Sequence, residues 1–156
     1  MEKITEGKLQ EAEIQERVTS LVTTSNGARG FFVAYLTSDS ALADNPSPGV
    51  IQALQTSPDV VSDLLVKNVA MSAAMAITHR RNQDETAATV SDRVKRRTIN
   101  LIQQLNMDTV NQELEALKVS VNSDRGSYQE FLQRWGYDDE QKQVINQAIA
   151  KIVNKN

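Results

Sequence analysis

The spacing of apolar residues constrains this chain more than any other feature. They recur every three or four residues, the period of an α-helix, and no segment alternates as a half-buried strand does. Three one-sided apolar stripes show the period most clearly: Ile14, Val18, Leu21 and Val22; Val110, Leu114, Leu117 and Val121; Val144, Ile145, Ala148, Ile149 and Ile152. A chain of 156 residues suits one domain with a substantial core. We therefore predict an all-α fold: one domain over residues 1–156, a compact bundle of about six to seven helices.

Capping residues predict where these helices begin and end. Ser47-Pro48 and Ser57-Pro58 each place an N-cap serine before a proline at the first helical position. Residues 127–130 and 138–141 each read as a capping box, and Gly136 suits a helix end. The predicted helices are 5–24, 28–37, 48–55, 58–82, 85–105, 109–121 and 128–153, the last broken at the glycine.

Helix 58–82 is apolar nearly all round, which predicts that it lies at the centre of the bundle. One narrow polar sector predicts its solvent face: Asp63, Lys67, Ala74, Thr78 and Arg81. A second line has the 4, 3, 4, 3, 4 spacing of a helix–helix seam and places polar residues among apolar ones: Val61, Leu65, Asn68, Ser72, Met75 and His79. Its polar members allow three interpretations: hydrogen bonding inside the core, an interface between two copies, or the wall of a small-molecule or metal pocket.

Basic residues concentrate between Arg80 and Arg97. This segment carries a net charge of +3 in a chain of −3, and it offers five arginines as a candidate anion-binding patch: Arg80, Arg81, Arg93, Arg96 and Arg97. Such a cluster can be a solvated face, a site for an acidic partner or phosphate, or a nucleic-acid surface. The acidic chain as a whole makes nucleic acid the weakest of these.

Aromatic residues fall into two groups, which we predict to meet at one end of the core: Phe31, Phe32 and Tyr35; Tyr128, Phe131, Trp135 and Tyr137. The Asn26-Gly27 pair is predicted to close the first helix with a positive φ angle.

Motifs for catalysis are missing from the sequence, which has no cysteine and a single histidine without a carboxylate three or four residues away. The acidic groups at 11–16 and 138–140 are predicted to be a solvated helix face and a helix N-terminus. We therefore predict no catalytic residue, no cofactor and no metal.

The run from Val66 to Asn82, VKNVAMSAAMAITHRRN, resembles a run in small uncharacterised proteins of cyanobacteria. The resemblance covers about residues 28–105, implies a bacterial cytosolic setting, and transfers no site residue. The N-terminus has no apolar signal region, and the longest weakly polar run, 64–77, is too short and too polar to span a bilayer. We expect a cytoplasmic, non-catalytic interaction or regulatory protein with a protein partner or self-association. The alternative is a binder of an anionic small molecule or nucleic acid through the Arg80–Arg97 segment.

Overall fold

The structure, a computed structural model, describes residues 2–153, with side chains from Gln10 onward. Within that range the chain forms helices and no strand, so the all-α prediction is confirmed. The α-helices are α1 (Glu2–Leu21), α2 (Ser25–Thr37), α3 (Pro48–Leu54), α4 (Pro58–Arg81), α5 (Glu85–Leu105), α6 (Asp108–Ser123), α7 (Gln129–Trp135) and α8 (Asp139–Val153). A short 3₁₀ turn, Ala41–Asp44, interrupts the loop between α2 and α3.

Helix α4 lies at the centre, as its sequence predicts. It packs against α5, α8, α6 and α2, and side chains such as Val61, Leu65 and Val69 are completely buried. By length and composition α4 could cross a membrane, yet 61% of its most apolar stretch is buried inside this protein. That burial is what the core helix of a soluble protein shows.

Local capping signals explain several helix ends. Ser47 Oγ accepts a hydrogen bond from Val50 N at the start of α3, and Gly136 ends α7 with a φ of 63°. The capping box at 138–141 is complete, because each residue's side chain accepts from the other's backbone N–H. The box at 127–130 is wrong: Tyr128 precedes α7, and its backbone N–H donates to Ser120 Oγ on α6 instead.

The corner between α1 and α2 differs from the prediction. Helix α1 ends at Leu21, and Gly27 lies inside α2, whose N-cap is Thr24. A Cβ atom at Gly27 would stand 2.1 Å from the Leu21 carbonyl oxygen. The glycine is therefore needed for close approach of two backbones rather than for a positive φ.

The predicted solvent face of α4 is wrong, because α8 covers much of it. Ala74 is completely buried. Gln141 on α8 donates its side-chain amide to Ala74 O at 3.0 Å and to Thr78 Oγ1 at 2.9 Å. Arg81 pairs with Asp138 at the start of the same helix. Thr78 and Arg81 of this sector therefore bind residues at the start of α8, whereas Asp63 and Lys67 pair with each other and stay half-buried.

The two aromatic groups do not meet in the part of the chain that the structure describes. Phe31 stacks on Tyr35 with ring centres 5.1 Å apart, whereas Phe131 contacts Tyr137. The first group lies beside Asn68 of α4. In the second group, the Phe131 ring centre is 5.8 Å from the Lys67 ammonium. Consecutive helical residues point about 100° apart, so the groups occupy different faces of α4.

Helix α3 docks on α1 through an unpredicted contact. Glu11, expected on a solvated face, is half-buried and its Oε1 accepts from Gly49 N at 2.7 Å. This carboxylate caps the first turn of α3, where free N–H groups favour an anion.

Candidate functional site

The polar seam of α4 passes from the core to the surface. Val61 and Leu65 are completely buried and Ser72 is 6% exposed, whereas Asn68 and Met75 are half-buried. His79, near the end of the helix, is also half-buried. The seam is therefore core in its first two turns and partly open to solvent in its last three.

The side chains of the polar seam residues do not bind one another. Ser72 Oγ donates to Asn68 O of its own helix at 2.6 Å. Neither Asn68 nor His79 makes a side-chain hydrogen bond within the described residues. Both side chains reach solvent, so water can satisfy them and the cost of an unpaired buried polar group does not arise.

A shallow apolar groove adjoins α4 at Asn68, where the open part of the helix begins. Asn68 and Val94 border a space of about 100 Å³ between α2, α4 and α5, together with Val33. Val33 is 60% exposed, and Val90, one turn before Val94 on α5, is 37% exposed. The space is too small for the roughly 300 Å³ that drug-sized ligands need. We use the name α4 strip for the half-buried side chains that line this side of the helix: Asn68, Met71, Met75 and His79.

Arg97, a member of the candidate anion patch, is a structural residue with only 3% of its surface exposed. Its guanidinium donates to the carbonyl oxygens of Leu36 (3.0 Å), Ser38 (2.6 Å) and Ser40 (3.0 Å), and to Asp44 Oδ1 (2.9 Å). These contacts close the C-terminus of α2 and hold the loop that follows it. A cation suits that position because the last carbonyls of a helix lack partners.

Three further arginines of the patch also bind within the chain. Arg93 donates to Thr37 O at 3.1 Å, beside the loop that Arg97 holds. Arg80 pairs with Glu85 and Asp92 of α5. Arg81 pairs with Asp138, which directly precedes α8, and with Glu140 of α8. The remaining member, Arg96, makes no ion pair with any residue that the structure describes.

Arg96 borders a cleft of about 370 Å³ between α5, the 3₁₀ turn and the last turn of α8. Lys151 of α8 and Gln103 of α5 line the same cleft. Reasoning from the sequence missed both. Arg96 and Gln103 are seven residues apart and so share a face of α5, but no local pattern links either to Lys151.

Tyr128 joins three helices and carries the most displaced of the tyrosine pKa values. Its hydroxyl lies 2.5 Å from Glu113 Oε2 and 3.2 Å from Asp63 Oδ1. Burial first, and then the two carboxylates, raise the pKa of Tyr128. A tyrosine hydroxyl holds one proton to donate, and Asp63 is also paired with Lys67 at 3.0 Å. The arrangement therefore braces α4, α6 and α7 and keeps Tyr128 protonated.

The carboxyl groups with shifted pKa values belong to ion pairs. Arg97 lowers the pKa of Asp44, and Arg81 lowers the pKa of Asp138. A general acid requires the opposite shift, a raised carboxyl pKa in a cleft. Within residues 10–153, no three acidic or histidine side chains are grouped to hold a metal ion.

Comparison with known proteins finds one family. Residues 1–152 match the family model described as uncharacterised conserved protein UCP020893. No curated protein matches the chain, and no solved structure matches it. Because the match covers nearly the whole chain, this protein belongs to the family of uncharacterised conserved protein UCP020893.

Proposed function

We propose that this protein is a non-catalytic interaction module that binds an apolar helix of a partner protein along the α4 strip. One observation carries the proposal. The central helix buries Val61 and Leu65 completely, yet further along it leaves Asn68, Met75 and His79 half-buried. The exposed apolar side chains of Val33 on α2 and Val90 on α5 continue the same side of the bundle. A partner helix laid there would cover apolar surface that the chain's described helices leave open.

The chemistry of the strip suits a helix. The strip spans twelve residues from Asn68 to His79, about 16 Å or three helical turns. Methionines at 71 and 75 are unbranched and adjust to the side chains they meet, as in other helix-binding grooves. Arg29, exposed beside the groove and without an ion pair in the described range, favours an acidic residue at that end of the partner.

The size of the strip favours a transient contact. A stable dimer buries about 800 Å² on each partner. Four half-buried side chains and two exposed valines cannot supply that area. We therefore infer a heterologous, reversible partner rather than a permanent second copy, in keeping with a regulatory role. The cytoplasmic and cyanobacterial setting is part of this proposal.

The same geometry weakens the alternative that the whole Arg80–Arg97 segment binds an anion or nucleic acid. Arg80, Arg81, Arg93 and Arg97 already bind carboxylates or carbonyls of this chain. A phosphate backbone would have to displace those partners before it gained a contact.

Photocrosslinking in cells tests the proposal. A photoreactive phenylalanine replaces Met75 in one variant and Val119 in the control, since Val119 is 47% exposed on α6, away from the strip. We expect one discrete heterologous adduct at position 75 that is absent at 119. The crosslinked partner peptide, identified by mass spectrometry, should have the apolar spacing of an amphipathic helix. A self-adduct of twice the chain's mass would identify a second copy as the occupant. Equal labelling at both positions would refute a binding face on α4.

A further inference from the structure

The cleft beside Arg96 is a concave surface that lies away from the α4 strip. It is bordered by α5, by the 3₁₀ turn and by the last turn of α8, and its wall includes the nearly buried Ile99. Its volume of about 370 Å³ falls within the range of roughly 300–1,000 Å³ in which proteins enclose small molecules.

The cleft carries a surplus of positive charge in an acidic protein. Its lining holds three cations, Arg96, Arg97 and Lys151, and one carboxylate, Asp44, for a local charge of +2 in a chain of −3. Arg97 Nε donates to Asp44 Oδ1 at 2.9 Å, so these two charges neutralise each other. Arg96 and Lys151 remain, and neither forms an ion pair in the described part of the chain.

A buried donor without a partner also borders the cleft. The side-chain nitrogen of Gln103 is shut off from solvent and has no hydrogen-bond partner among the described residues. Such a group is uncommon in a native protein, because leaving it unpaired is unfavourable. Neighbouring Asn100 is already engaged, since it donates to Asp44 O and accepts from Gln104. Because this nitrogen is closed to solvent, a ligand oxygen in the cleft reaches it only when the Gln103 side chain turns toward the cleft that it lines.

We propose that this cleft binds a small organic phosphate, with Arg96 and Lys151 on the phosphoryl oxygens and Gln103 donating to a ligand oxygen. A phosphate monoester carries about −1.5 to −2 charges at neutral pH and three strong acceptors, which matches the two unpaired cations. The arginine fork binds two such oxygens at once, and lysine supplies a point charge. A nucleic-acid backbone offers one charge per phosphate along an extended path, which a single compact cleft does not follow.

Calorimetric titration with glycerol 3-phosphate at an ionic strength of about 0.15 M and pH about 7.5, where the phosphate is a dianion and distant charges are screened, tests the proposal. We expect the wild type to bind with a Kd below about 1 mM. The double variant Arg96→Ala/Lys151→Ala should bind at least about tenfold more weakly, since it loses two charge-assisted contacts. Succinate should bind the wild type at least about tenfold more weakly than the phosphate, because it lacks the third oxygen on one centre.

A control double variant separates a site from general charge. Lys118→Ala/Arg125→Ala removes two exposed cations outside the cleft that make no ion pair in the described structure. It should leave the Kd within about twofold of wild type, since screened charges far from a site contribute little. Gln103→Leu should weaken binding while leaving the free protein at least as stable, which a purely structural glutamine would not do.

Three results would overturn the phosphate site: a wild-type Kd above about 1 mM, equal losses in the two double variants, or succinate binding more tightly than glycerol 3-phosphate. The titration and the crosslinking on α4 probe different surfaces. Either proposal can therefore fail while the other stands.

Discussion

Replacement of Arg97 by methionine is the sharpest test of how the α2–α3 loop is held. The change keeps an unbranched side chain but removes four hydrogen bonds, three of them to backbone carbonyls. Leu36 belongs to the core, and Ser38 is half-buried, so their carbonyls lose partners that water replaces poorly. Ser40 and Asp44 are exposed and can be solvated.

The expected cost follows from this division. Each poorly solvated carbonyl left unpaired costs about 1–3 kcal/mol, while the exposed partners add about 0–1 kcal/mol each. Adding these contributions, we expect Arg97→Met to lower the free energy of unfolding by about 3–5 kcal/mol, most of it from the carbonyls of Leu36 and Ser38. Arg97→Lys should lose less, because an ammonium still offers three donors, although from one point.

Urea unfolding followed by circular dichroism measures the loss, with Arg96→Met as the matched control. Arg96 is the neighbouring residue, is exposed and has no ion pair in the described range. Its replacement should change the free energy of unfolding by no more than about 0.5 kcal/mol. A loss below about 1 kcal/mol for Arg97→Met, or equal losses at both positions, would show that the loop does not depend on this guanidinium.

Three further changes test other contacts. Gly49→Ala should destabilise the protein by about 1–3 kcal/mol in thermal unfolding, because the new Cβ would stand 2.6 Å from a backbone oxygen of α1. Gly30→Ala is the control, because a Cβ at Gly30 would meet no atom within 4 Å. This control variant should be as stable as wild type or more stable by up to about 1 kcal/mol. Burial raises the pKa of Tyr137 to about 12 and leaves its hydroxyl unpartnered among the described residues. The wild type should therefore lose stability as pH rises from the ordinary tyrosine pKa of 10.0 towards 12. Tyr137→Phe should lose less stability over that pH range and be at least as stable as the wild type at pH 7. An equal loss of stability in both proteins at alkaline pH would contradict this. Arg81 lowers the pKa of Asp138 below the usual 3.8. The stabilisation that this ion pair gives is therefore complete above pH 3.8 and disappears as pH falls through the lowered pKa. Asp138→Asn should be less stable than Asp139→Asn at pH 7, and a stability difference between these variants that persists below the lowered pKa would contradict the ion pair.

The fold could be predicted from the sequence because local rules and tertiary packing agree. Apolar spacing fixes which residues of α4 point into the bundle, and proline and capping residues fix helix starts at Ser47 and Asp138. The errors occur where a polar residue binds another element. Gln141 completes the predicted capping box at its own helix start, yet its side chain also crosses to Ala74 of α4. Periodicity identifies a polar position, but it does not tell whether water or another helix satisfies it.

The candidate site was harder to predict from the sequence than the fold, for the same reason. The arginine-rich segment is visible in the sequence, but solvated, clamping and ligand-binding arginines have the same local pattern. Arg97 lies next to Arg96, and only the fold separates a residue that holds three loop carbonyls from one that faces a cleft. Lys151 comes from a helix 55 residues later in the chain. No spacing rule joins it to α5, because their proximity depends on how α8 packs.

Asn68→Leu distinguishes a buried polar network from an open strip. Were Asn68 hydrogen-bonded inside the core, its loss would cost about 1–3 kcal/mol by leaving partners unpaired. The structure places it half-buried, with no side-chain hydrogen bond in the described range, and leucine is the better helix former by a few tenths of a kcal/mol. We therefore expect the variant to be as stable as wild type or slightly more so, with light scattering giving an unchanged mass. A loss of stability above about 1 kcal/mol would show that Asn68 belongs to a buried hydrogen-bond network. A new dimer would show that the strip pairs two copies once its polar residue is replaced. Unchanged stability and mass would show that Asn68 is not needed for folding or self-association, which the proposed reversible binding face predicts.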